Sequence, residues 1–158
     1  MLTVEDHALF KAYYQNNSSY YIRLLEKYLE GQKHSFNVSA LLLSVLFVSY
    51  RKMYGWLLML YLINLGGSIL IDHLYLHLEL TDDSYRAAES VYGLILALIA
   101  ASFTNSIYIG RSIKHMQQIR RSTDDHEERL EMARKKGGVD WVGPFIILIL
   151  IFFVYDQF

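Results

Sequence analysis

The side chains best placed to do chemistry are His73 and His77, four residues apart, with Asp72 beside the first and Glu79 two residues past the second. On a continuous helix both imidazoles share a face, a spacing that can hold a divalent cation. The residues between them are Leu74, Tyr75 and Leu76. The acidic residue that a helical metalloprotease motif places there is therefore missing, and no third ligand stands at a fixed spacing. The pair reads as histidines at a membrane edge or in a polar loop, and a metal-dependent membrane enzyme is the weakest alternative. The chain has no cysteine, which excludes disulfides and thiolate metal sites. No phosphate loop, serine nucleophile elbow or paired-carboxylate site appears in the apolar segments, so no cofactor and no catalysis are expected.

The second group of candidates concerns association. Gly93, Ala97 and Ala101 form a ridge of small residues at helical spacing, and Asn105 extends the same face. Such ridges let helices approach closely. Gly66, Gly67 and Ser68 are the candidate facing groove, and Asn64 is an amide inside an otherwise apolar run. These residues point to packing within one chain, to self-association or to a partner helix. A small oligomeric channel or transporter is the alternative, motivated by Asn64, Asn105 and an acidic outer loop. The absence of ionisable residues from the centres of the apolar runs counts against it.

These residues need helices to hold them. Apolar residues make up 53% of the 158 and charged residues 20%, and the apolar ones are bunched into runs. One proline and 13 tyrosines suit a helical chain with many interfacial rings. Residues 1–34 read as an amphipathic helical arm broken near Asn16–Ser19. Tyr21, Leu24, Leu25 and Tyr28 share one face, either packed on the protein or lying in the lipid interface. Asn17 or Ser18 is the candidate cap of its second helix. Residues 35–158 form the membrane domain. Segment 36–50 is apolar but reaches only about 22 Å as a helix, short of the ~30 Å hydrocarbon core, and reads as re-entrant or interfacial. Spans are expected at 54–71, 88–109 and 139–155. A charged helical hairpin at 110–138 is expected between the last two, with Ser122 or Thr123 capping its second helix and Gly137 and Gly138 ending it. The fold class is thus all-α: an integral membrane bundle of three transmembrane helices plus a short re-entrant helix and an amphipathic N-terminal helix. The first residues lack the basic region of a signal peptide, so insertion is expected to use an internal segment.

Charge sets the expected orientation. If 36–50 does not cross, all 15 basic residues except Arg86 fall on one side. If it crosses, Lys11, Arg23, Lys27, Lys33 and Arg86 lie opposite the rest. The positive-inside rule favours the first arrangement, with a cytoplasmic N-terminus and an external C-terminus. Tyr50, Tyr54, Trp56, Tyr108 and Trp141 then mark the inner interface, and Tyr75, Tyr85, Tyr92 and Tyr155 the outer one. Acids interspersed through the basic hairpin argue against nucleic acid as a partner. Membrane lipids and a membrane protein or second copy are the expected partners.

The run Tyr20-Tyr21 to Gly31, then Ser35-Phe36-Asn37 and Tyr50-Arg51-Lys52-Met53-Tyr54, resembles the bacterial membrane proteins grouped as domain of unknown function 2628. The step Asn105–Lys114 and the glycine-containing entry Gly137–Gly143 are similar more loosely. The resemblance implies a bacterial inner-membrane location and transfers no activity. Together these readings describe a small inner-membrane protein acting by association, as an accessory, regulatory or immunity-type component.

Overall fold

A computed structural model describes residues 2–79 and 81–155, the last two through their backbone only. The Tyr155 side chain, assigned above to an interface, lies outside the described residues. Seven helices follow one another: α1 (Val4–Tyr14), α2 (Ser18–Leu29), α3 (Val38–Tyr50), α4 (Tyr54–Leu78), α5 (Asp82–Ser122), α6 (His126–Lys136) and α7 (Val142–Tyr155). The chain is all-helical, with no strand among the described residues.

Helix α5 organises the rest. Its 41 residues extend about 60 Å at 1.5 Å per residue, far more than a bilayer core. Asp82 and Asp83 in its first turn, with Arg120 and Arg121 in its last, complement its dipole, and Thr81 caps it by accepting from Ser84 N–H at 3.3 Å. Helices α3 and α4 pack on its apolar first half and its middle, and α1, α2 and α6 on its second half. Helix α7 packs on α3.

Several boundaries differ from the sequence expectation for local reasons. Helix α4 runs on from Ile71 to Leu78, with Glu79 in the left-handed region, so the stretch 72–89 is helical through Leu78 and again from Asp82. Tyrosine–carboxylate bonds tie those ends together: Tyr75 donates to Asp82 at 2.7 Å and Tyr85 to Asp72 at 2.8 Å. The expected span 88–109 continues without a break, so the hairpin at 110–138 is the end of α5 plus α6. Ser122 and Thr123 finish α5 instead of starting α6, whose cap is Asp125, accepting from Glu127 N–H at 3.0 Å. Asn17 precedes α2 in the left-handed conformation and makes no side-chain cap.

The N-terminal arm packs on its own protein. Thr3 and Asp6 form a capping box, and Leu9, Phe10, Tyr13 and Tyr14 are buried against α2, α5 and α6. Helix α3 is bent at Ser44, whose φ of 38° leaves the helical region. Its start is pinned to α5 by Asn37 N–H donating to Ala101 O at 2.9 Å. Its end is pinned further along by Arg111, which donates to Lys52 O. The bend at Ser44 shares a groove with Gly93 and Ala97, nearer the other end of α5.

Two helices, α4 and α5, are long and apolar enough to cross a membrane, while α3 and α7 are apolar but shorter. In α4 the most apolar stretch is only 11% buried. Leu58, Leu62, Ile69 and Leu70 of α4, Val91 and Leu94 of α5, and Phe145, Ile146 and Phe152 of α7 are all exposed. A contiguous apolar surface of this extent marks a membrane or protein contact.

Candidate functional site

Three stretches distant in sequence meet where the apolar half of the bundle joins the polar half. They are the C-terminus of α1, the turn 49–54 between α3 and α4, and residues 137–143 leading into α7. At their centre is Arg51, 3% exposed. Its guanidinium carbon lies 4.6 Å from the ring centre of Tyr21, 5.5 Å from that of Tyr108 and 5.6 Å from that of Tyr50. One terminal nitrogen donates to Asn16 O at 3.3 Å, and the other reaches Tyr14 O at 3.5 Å. Those carbonyls close the negative end of the α1 dipole. No carboxylate pairs with Arg51 among the described residues. The buried charge is balanced by ring faces and helix-end carbonyls instead of a counter-ion. Arg51 Nε, the Tyr108 hydroxyl and Ser49 Oγ are buried without a hydrogen-bond partner among the described residues, which adds desolvation cost to the cage.

The surrounding tyrosines are neutral. Burial pushes the Tyr13 phenol up to about 12 despite the opposing field of Arg111, and it raises Tyr14 and Tyr21 as well. Tyr14 shares a 2.7 Å hydrogen bond with Ser112, and the Tyr13 hydroxyl meets His115 Nδ1 at 2.9 Å. Burial, then the charges of Arg111 and Lys136, hold His115 below the ordinary imidazole range.

The turn itself is pinned from three sides. Lys52 sits at φ 56°, an unusual conformation for a side chain with a Cβ. Its Nζ donates to Gly137 O at 2.8 Å, and its own carbonyl accepts from Arg111. Asp140 N–H donates to Tyr50 O at 2.8 Å, the Tyr54 hydroxyl donates to the Asp140 carboxylate, and Tyr50 packs edge-on against Trp141 at 4.8 Å. Gly138 N–H donates to Tyr13 O at 2.7 Å. Gly137 has to be a glycine, because a Cβ there would lie 2.1 Å from that same carbonyl oxygen.

The residues singled out from sequence distribute as follows. Asn105 is buried and fully engaged: its Nδ2 donates to Ser35 Oγ at 3.0 Å and the Tyr20 hydroxyl at 3.1 Å, and its Oδ1 accepts from Asn37 Nδ2 at 2.7 Å. It thereby anchors the Ser35-Phe36-Asn37 start of α3, while Phe36 itself is half exposed. Met53 is buried under the turn. Ala101 is buried, and its carbonyl accepts from Asn37 N–H at the start of α3. Gly67 receives the Tyr92 ring, which a Cβ would meet at 2.1 Å, whereas Gly66 and Gly93 face open space and Ser68 is half-buried. Asn64, Gly93 and Ala97 come together in an apolar groove of about 660 Å³, completed by Ser44, Leu57 and Leu60 and by Ile147 and Leu150 of α7. Asn64 makes no side-chain hydrogen bond among the described residues. His73 and His77 do share a face, with ring centres 4.1 Å apart, and both are exposed. No group of three ligating side chains able to hold a metal forms among the described residues. At the same end of the molecule, Tyr85 is pushed up to about 12 by donating to Asp72.

Two of the expected interfacial rings are internal: Trp56 is 8% exposed with its Nε1 donating to Thr104 at 3.1 Å, and Tyr108 is 2% exposed in the Arg51 cage. Tyr13, Tyr14, Tyr108 and Arg111 have roles here that sequence reasoning missed. The doublets Tyr13-Tyr14 and Tyr20-Tyr21 were the available signal, since two adjacent large rings on a helix cannot both face water without cost. Family models, curated proteins and solved structures were compared with this chain, and none matches it.

Proposed function

We propose that this is a small bacterial inner-membrane protein that acts by helix–helix association, as an accessory, regulatory or immunity-type component. In this reading α4, the first half of α5 and α7 span the bilayer. Helix α3 dips in and returns, the N-terminus with α1, α2 and α6 is cytoplasmic, and the C-terminus is external. The observation that carries association is Asn64. An amide without a partner, set in an apolar groove beside Gly93 and Ala97, costs free energy in hydrocarbon until another chain supplies its hydrogen bonds. The small residues leave room for that chain to approach. Two further features support the membrane placement: the exposed apolar belt, and the arrangement of α3, whose ends meet the middle of α5 at Ala101 and Arg111 while its bend shares a groove with Gly93 and Ala97, nearer the start of α5. The tyrosine–arginine junction would then hold the cytoplasmic helices in a fixed relation to the groove.

The test is photo-crosslinking in cells from position 97 or 150, followed by purification in detergent. A discrete protein adduct or a crosslinked dimer is expected. It should weaken about 3- to 20-fold in Asn64→Leu, given roughly 0.6–1.7 kcal/mol for an interhelical hydrogen bond in a membrane. Lipid adducts alone, with a monomeric native mass, would reject association. Orientation is checked separately with single cysteines at 52, 83 and 125; labelling of position 52 from outside would overturn it.

A further inference from the structure

A second, smaller cavity of about 180 Å³ lies at the polar end of α4, lined by Lys52, Met53, Tyr54, Gly55, Trp56, Ile107 and Arg111. Two of its walls are cationic, and no carboxylate lines it. The contacts of both cations are backbone carbonyls: Lys52 Nζ on Gly137 O, and Arg111 on Lys52 O. Neither forms an ion pair among the described residues. The nearest acid is Asp140, occupied by the Tyr54 hydroxyl and Val142 N–H. A lysine has three donors and an arginine five, so each retains donors beyond the carbonyl it already meets. The floor of the cavity is the start of α4, where Met53 supplies no side-chain cap and the first backbone N–H groups are free of intrahelical partners. The surroundings are therefore positive, sized for a phosphodiester, and flanked by Tyr54 and the edge of Trp56. The apolar surface of α4 begins immediately beyond, at Leu58 and Met59.

From this combination we infer that the cavity binds the phosphate of an anionic phospholipid, with Lys52 and Arg111 as its charge partners and the N-terminal N–H groups of α4 as additional donors. A lipid is favoured over a free phosphate because the cavity adjoins the exposed apolar face of α4, where acyl chains would lie. The site fixes the depth of the protein in the leaflet, and it clamps the 49–54 turn through the same two residues that pin that turn, Lys52 to Gly137 and Arg111 from α5. The inference rests on the membrane placement above but not on the Asn64 groove. Failure to incorporate into nanodiscs would reject the placement, whereas incorporation without lipid selectivity would reject this site alone.

The experiment uses the full-length chain in nanodiscs of phosphatidylcholine doped with phosphatidylglycerol, followed by native mass spectrometry of the released protein. One retained phosphatidylglycerol is expected, with retention weakened about 25-fold in Lys52→Gln/Arg111→Gln, taking each near-surface cation as worth about fivefold. Lys114→Gln, an exposed cation one turn further along α5, should retain it. Since the double variant could disturb the turn, Gly55→Glu is the second variant. A Cβ at Gly55 meets nothing within 4 Å, and a carboxylate in the first turn favours the helix while occupying the site. It should fold with unchanged helix content and release the lipid. Equal retention of phosphatidylcholine, or unchanged retention in both variants, overturns the proposal. Displacement of the lipid by millimolar inorganic phosphate overturns the lipid as its source.

Discussion

Removing Arg51 tests whether the junction depends on a buried cation or merely on filled volume. Arg51→Ala deletes contacts with three rings at 4.6, 5.5 and 5.6 Å. In a desolvated cage the nearest is worth about 2 kcal/mol and the others about 0.5–1 each. It also removes a charge-assisted hydrogen bond to Asn16 O, about 1.5–3 kcal/mol, and leaves carbonyls at the end of α1 without a donor. Against this stands relief of the desolvation of a guanidinium with no counter-ion, several kcal/mol. The net expectation is about 2–4 kcal/mol of destabilisation, confined to the packing of α1 and α2 on α5. The assay is limited proteolysis of the purified protein in detergent, following cleavage after Lys11 and Arg23. In the regime where cleavage tracks the open population, the rate should rise about 30- to 1000-fold while the α4–α5 hairpin stays intact. Arg51→Lys, which keeps the charge but loses the planar face, should fall between. A change under about threefold for Arg51→Ala would show that the rings and carbonyls balance nothing of consequence, and a junction built around a buried cation would be refuted.

Gly137→Ala should destabilise the contact between the ends of α1 and α6 by about 1–3 kcal/mol, because the new methyl meets a backbone oxygen that cannot move alone; chemical denaturation with the same proteolysis readout measures it. Asn105→Ala strips partners from Ser35, Tyr20 and Asn37 at once, and a loss of about 2–4 kcal/mol is expected, seen as faster hydrogen exchange at the start of α3. His115 gives a pH dependence with a definite sign. Its folded pKa is depressed below the ordinary 6.5, so below that pH the unfolded chain takes up a proton that the folded chain refuses. Stability should be fully present above 6.5 and fall as pH drops below it. His115→Gln should lose that part of the pH dependence, and an unchanged profile would sink the assignment.

Much of this molecule follows from short-range rules acting on the chain. The all-helical class, the two long apolar helices, the halves into which the charges sort, the capping of α1 and the end of α6 at Gly137 are all set by hydropathy, periodicity and cap chemistry. Those effects operate within a few residues and survive any choice of packing. Boundaries were less legible where two rules competed: Ser122 and Thr123 are good N-caps, yet the buried face through Ile109, Ser112, Met116 and Ile119 carries α5 as far as Ser122, so the pair close α5 and Asp125 starts α6. The bend in α3 at Ser44 carries no glycine or proline to announce it, while the two ends of the helix are tied to α5 at Ala101 and Arg111. The histidine pair illustrates the other limit: spacing placed His73 and His77 side by side, but whether further ligands join them is a question of tertiary contacts. So is the fate of the two amides in the apolar runs. Asn64 and Asn105 look alike in sequence, yet one is saturated by Ser35, Tyr20 and Asn37 and the other opens into an apolar groove. What only the tertiary structure decided is the junction itself. Arg51 finds its rings and carbonyls in α1, α2 and α5, up to 57 positions away, and a cation–π contact or a carbonyl at the right distance leaves no periodic trace in the sequence.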